Sequence, residues 1–105
     1  MKRKLINRFT DLLARPYNYE FVDEIPDKFN RKVIYFIGSE DYYWQAAMIC
    51  PCGCKNILQL NLIADHRPFW EYKIEKKRVT LFPSIHRFVA CKSHFFVRRG
   101  RIIWV

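Results

Sequence analysis

Cys50, Cys52 and Cys54 alternate within five residues, separated by Pro51 and Gly53, and Cys91 follows far downstream; the chain has no other cysteine. Thiolates at such spacing are ligands for zinc. In an extended strand the three thiols would lie on one face at intervals of about 6.6 Å. Zn–S bonds of about 2.3 Å instead require ligand sulfurs within roughly 4 Å of one another. The chain must therefore turn inside the motif, and Pro51 and Gly53 are the residue types that let it. Cys91 as fourth ligand would close a tetrahedral structural site and join two distant parts of the chain. The spacing Cys91-x-x-His94 also suits a metal, so a set in which His94 replaces one of the three clustered cysteines stays open. C-x-C-x-C is not the C-x-x-C of thioredoxin-like redox proteins, and three of four cysteines within five residues is a poor fit to buried apolar cysteines.

The downstream segment also brings Ser84, His86, Ser93 and His94 into eleven residues. A hydroxyl becomes a useful nucleophile only when a neighbouring base takes its proton, and histidine is the usual base near neutral pH. Ser84 with His94 is the preferred pair, because adjacent strand residues such as Ser93 and His94 point to opposite faces. The plainer account makes Ser84 a turn residue after Pro83 and His94 a zinc ligand or strand histidine, and spacing alone favours it. His66, in Asp65-His66-Arg67-Pro68, reads as a loop residue.

Leu5, Ile6, Phe9, Leu12 and Leu13 recur at helical spacing, which predicts an amphipathic helix over residues 4–15, within an amino-terminal unit 1–16 ended by Pro16. Residues 17–30 lack a clean period and read as a connection with a short extended piece over 19–22. Their acids (Glu20, Asp23, Glu24, Asp27) form a solvated face. Val33–Ile37 reads as a strand closed by a Gly38-Ser39 turn, and Tyr42–Cys50 as a second strand running into the cysteines. Ile57–Ile63 is a half-buried strand with Leu58, Leu60 and Leu62 on one face. Phe69–Ile74 and Val79–Phe82 form a hairpin whose tip, Glu75-Lys76-Lys77-Arg78, lacks the glycine or asparagine of tight turns and predicts a longer loop. Pro83 is expected to end the second of these strands. Phe88–Ala90 adds an extended piece, and 94–98 with 101–105 form a hairpin around Arg99-Gly100. The expectation is one domain over 1–105, mainly β within the α+β class: a small zinc-stapled antiparallel β core (33–105) with an amino-terminal helix.

Half of the 105 residues are hydrophobic and 17% aromatic, which excludes a disordered tail. The formal charge is +9, from 19 Lys and Arg against 10 Asp and Glu. That surplus fits an acidic partner, whether nucleic acid, anionic membrane or protein. The basic residues are scattered and carry no RNA-binding signature, so nucleic acid is the weaker choice. Met1-Lys2-Arg3-Lys4 has the charge of a signal peptide, but Asn7, Arg8, Thr10 and Asp11 interrupt any apolar core, and no stretch approaches the roughly 20 apolar residues of a membrane span. The expected compartment is the cytoplasm, where cysteines serve as ligands more often than as disulfides.

CPCGC, Arg67-Pro68-Phe69-Trp70, Val79-Thr80-Leu81-Phe82-Pro83-Ser84-Ile85, Cys91-Lys92-Ser93-His94-Phe95 and a final Arg-Gly-Arg hairpin ending in Trp104 occur in that order. As an ordered set over residues 33–105 they resemble a family of small bacterial proteins encoded in ubiquitin-like conjugation operons of the Bub type, beside homologues of ubiquitin-activating and ubiquitin-conjugating enzymes. The resemblance implies a zinc-stabilised serine-peptidase-like protein that processes or deconjugates a ubiquitin-like modifier. Carried over by position, it assigns Cys50, Cys52, Cys54 and Cys91 to zinc and Ser84 and His94 to nucleophile and base, with Ser93 as rival nucleophile. The charged tip at 75–78, where the family pattern has glycine, departs from it, as does the basic surplus. Glu40 and Asp41 are candidates for a third, orienting acid. The contrasting class is a non-catalytic zinc module that binds nucleic acid or an acidic protein through its basic surface.

Overall fold

A computed structural model describes residues 15–88 and 91–105. The helix expected over 1–16 falls outside this range except for its last two residues, as do Val89 and Ala90 of the extended piece expected at 88–90. The described residues form eight strands and no helix, so they are all-β. None of them belongs to a helix long and apolar enough to cross a membrane.

Sheet A has the order β1 (Asn18–Val22), β2 (Val33–Ser39), β3 (Tyr42–Ile49), β4 (Ile57–Asn61). Sheet B has the order β5 (Glu71–Glu75), β6 (Arg78–His86), β7 (His94–Arg98), β8 (Arg101–Trp104). Only β1 on β2 is parallel; β1 is the extended piece expected over 19–22.

Alternation sorts side chains between the faces of these sheets. Ile34, Phe36, Ala46, Met48, Leu58 and Leu60 of sheet A meet Val79, Leu81, Ile85, Phe95, Val97 and Ile102 of sheet B in one core, with Phe36 and Tyr72 rings 4.5 Å apart across it. β2 lies between β1 and β3, and its other face is covered too: Val33, Tyr35 and Ile37 pack with Ala47, Phe29 and Trp44. Coverage on both faces is why this strand reads as an unbroken apolar run.

Three turns decide the registers, and two differ from expectation. β2 does not turn at Gly38-Ser39. It bulges at Ile37/Gly38, where a Cβ on Gly38 would stand 2.0 Å from the Tyr42 carbonyl oxygen, and the turn residues are Glu40 and Asp41, both at positive φ. The charged tip is not a long loop: Glu75 pairs Arg78, leaving a two-residue turn of Lys76 and Lys77 at φ 50° and 62°. Twist matching between the strands selects this turn form even without glycine. The Arg99-Gly100 hairpin is as expected, with Arg98 opposite Arg101, and its tip is held by N–H bonds from Tyr17 to the Gly100 carbonyl and from Gly100 to the Val79 carbonyl, both 2.7 Å.

Pro83 does not end β6, which runs on to His86. The strand passes the proline through a bulge, advancing from Leu81 to Ile85 while β7 goes only from Val97 to Phe95. A bulge is one of the few places where an inner strand accepts proline, since no ladder N–H is required there.

Candidate active site and metal centre

The loop between β3 and β4 carries Cys50, Cys52 and Cys54, and a bond from the Cys50 N–H to the Asn56 carbonyl (2.8 Å) closes its base. Gly53 sits at φ 95°, supplying the turn the motif requires. The segment between β6 and β7 supplies Cys91. Two loops from different sheets thus bring four sulfurs within 4.8 Å of one another. Cys50 Sγ is 3.5 Å from Cys52 Sγ and 3.6 Å from Cys91 Sγ, near the edge length of a tetrahedral thiolate site. All four cysteines are free, so the donor set fits a metal ion.

Two neighbours complete the shell of donors around these sulfurs. The Ser93 hydroxyl is buried, 3.0 Å from Cys91 Sγ and 3.9 Å from Cys50 Sγ. Arg87 aims Nη1 at Cys91 Sγ (3.5 Å) and Cys54 Sγ (3.8 Å). The sequence offered no sign of Arg87, because its approach depends on the continuation of β6 past Pro83. Hydrogen bonding from Ser93 pulls the Cys91 thiol down to about 6. Burial pushes Cys50 up to about 12. Burial also pushes Cys52 up, but hydrogen bonds from Ser93 and the Cys54 N–H outweigh it and hold that thiol below its ordinary value.

On the opposite, outward side of the same strand ends, Ser84 Oγ and His94 Nε2 are 2.9 Å apart. The bulge lifts Ser84 to this position, and the Trp70 indole N–H donates to the Ser84 carbonyl at 3.2 Å. His94 is paired across the strands with His86, and their rings stack at 4.2 Å with planes 9° apart. The sequence places His86 in the serine and histidine constellation and Trp70 in the ordered motifs, but gives neither a contact with the pair. Those contacts are legible only once β6 is known to continue: Ser84 and His86 then alternate onto one face.

The remaining sequence candidates are not brought here. Ser93 turns to the cysteines, and His94 turns away from them. His66 lies in the β4–β5 loop, where its N–H bonds the Ile63 carbonyl. Glu40 and Asp41 occupy the β2–β3 turn. Among the described residues the polar partner of His94 is Ser84, and no carboxylate there pairs with it.

A hydroxyl hydrogen-bonded to an imidazole nitrogen is an arrangement able to generate an alkoxide-like nucleophile. No curated protein and no solved structure matches the chain. The profile of a family described as the bacterial ubiquitination-like system serine protease, BubE, matches residues 21–105, and the chain belongs to that family.

Proposed function

We propose that this protein is a zinc-stabilised serine-type hydrolase that cleaves at the carboxyl end of a ubiquitin-like protein, releasing it from a precursor or a conjugate. The observation that carries the reading is the 2.9 Å contact between Ser84 Oγ and His94 Nε2, in a chain whose family is described as a serine protease of a ubiquitination-like system. With Nε2 unprotonated, the Ser84 hydroxyl donates to it. Attack of Oγ on the scissile carbonyl transfers that proton to His94, which then protonates the departing amine or alcohol. The acyl group left on Ser84 is hydrolysed by water, which gives its proton to the same imidazole; His94 returns that proton to Ser84 Oγ as the acyl–oxygen bond breaks, restoring the hydroxyl and the neutral base. Cys50, Cys52, Cys54 and Cys91 would hold the zinc, whose part, with four thiolates and no open position, is to fix the fold. The chain acts as one cytoplasmic domain, and its basic surplus suits an acidic modifier.

The test incubates a tailed or conjugated ubiquitin-like partner with wild-type, Ser84→Ala, His94→Ala and Ser93→Ala protein. Loss of cleavage in the first two supports the reading. Unimpaired cleavage by Ser84→Ala sinks it. Salt-sensitive binding to nucleic acid without any cleavage would instead favour a non-catalytic zinc module.

A further inference from the structure

We propose that His86 is a positioning residue for His94: its imidazole, stacked on the His94 ring, holds that ring in the orientation that meets Ser84. This inference rests on the Ser84/His94 reading above.

The described residues supply His94 with a hydroxyl partner and no carboxylate. A histidine tied at one nitrogen can still swing about its Cβ–Cγ bond, and a base that swings loses the alignment its reaction needs. In a serine–histidine–acid arrangement the acid removes that freedom. Here the neighbouring ring is placed to do it. His86 and His94 are direct cross-strand partners, a relation that holds Cβ atoms about 4.5–5.5 Å apart, and their planes lie within 9° of parallel. Phe88 backs His86 at 4.3 Å. Phe96 stands 6.4 Å from His94, with the Arg98 guanidinium 4.7 Å over its ring. The catalytic imidazole is thus one member of a ladder of rings.

Stacking also suits the charge that develops. When His94 accepts the Ser84 proton it becomes a cation, and an aromatic face beside a cation is attractive. The contribution belongs to the flat ring and not to a proton on His86. Phenylalanine should therefore replace it, whereas leucine, of comparable bulk without the flat face, should not.

The experiment compares wild-type, His86→Phe, His86→Leu and His86→Ala, with Ser84→Ala and His94→Ala as reference variants, each checked for equal zinc content and melting temperature. His86 is exposed, so its replacement should leave the core intact. We expect kcat to fall about 10- to 100-fold in His86→Leu and His86→Ala, the cost of a misplaced catalytic group, with KM changed less than about twofold, and His86→Phe to stay within about threefold of wild type. The upfield ring-current shift of the His94 imidazole protons should persist in His86→Phe and vanish in His86→Leu, a readout independent of turnover. Full activity in His86→Leu, or equal loss in His86→Phe and His86→Ala, overturns the proposal while leaving Ser84 and His94 in place. Full activity in Ser84→Ala or His94→Ala overturns both.

Discussion

Ser93 and His94 are neighbours in the chain yet face opposite ways: Ser93 Oγ lies 3.0 Å from Cys91 Sγ, while His94 Nε2 lies 2.9 Å from Ser84 Oγ. One peptide unit thus separates the shell of the sulfur cluster from the hydroxyl–imidazole pair. Immediately across, the Arg87 N–H donates to the Ser93 carbonyl at 2.8 Å, so Arg87 and Ser93 face the sulfurs while His86 and His94 face outward. The cluster and the pair therefore share these two strand ends.

Loss of the metal should therefore disable the pair without touching it. Cys91→Ser removes the ligand contributed by sheet B, and a three-thiolate remnant on sheet A no longer ties the sheets together. We expect less than one zinc per chain after dialysis, a melting temperature lower by several degrees, and cleavage falling in parallel, since folding of small metal sites is coupled to binding. Metal analysis, a thermal scan and a cleavage assay on one preparation check this.

Ser93→Ala separates the rival nucleophile from the scaffold. Removal of its hydroxyl takes a hydrogen bond from a thiolate, and loss of such outer partners typically costs about 10- to 100-fold in metal affinity. Competition with a chromophoric chelator should show that loss, while cleavage persists when zinc is saturating. Arg87→Gln should weaken retention in the same assay, because the guanidinium no longer offsets the negative charge of the thiolates.

Uptake of the metal should release protons and weaken in acid. Without metal, Cys50 is pushed up to about 12 by burial and is a thiol at neutral pH, whereas Cys91, drawn down to about 6 by Ser93, is already a thiolate. A ligand must be deprotonated to bind, so zinc displaces a proton from Cys50 but not from Cys91 near pH 7.5. As pH falls through about 6, Cys91 is protonated as well and apparent affinity drops more steeply. Calorimetry in buffers of different ionisation enthalpy counts the protons. A count unchanged between pH 5.5 and 7.5 would contradict this assignment.

The sequence carried the grouping of the site residues better than the path of β6. Four cysteines, a turn at Pro51-Gly53 and the preference for Ser84 over Ser93 follow from ligand size and strand alternation, which are local arguments. Arg87 stayed hidden, and His86 and Trp70 were visible without their contacts, because each depends on β6 passing Pro83 through a bulge, and a bulge is a compromise between two strands that no single segment reveals. Val33–Ile37 was legible as a strand, whereas its partner β1 carried only a weak signal, because Asn18 and Glu20 are exposed at the sheet edge. The charged tip misled for a related reason. Strand twist imposes its backbone form, and the two lysines merely tolerate it.

That tolerance is measurable. Lys76 and Lys77 occupy the left-handed region at φ 50° and 62°, a conformation that costs a side-chain-bearing residue roughly 1 kcal/mol or more. Asparagine and glycine are the residues that adopt it readily in a two-residue turn. The double substitution Lys76→Asn, Lys77→Gly should therefore stabilise the protein by about 1 kcal/mol, since relief of strain at both positions exceeds the extra chain entropy glycine brings to the unfolded state. Urea unfolding should show a higher midpoint at unchanged slope. The turn joins β5 to the far end of β6 from Ser84, so cleavage should be unaltered. A lower midpoint would mean that the lysines make contacts at the tip worth more than the strain they bear.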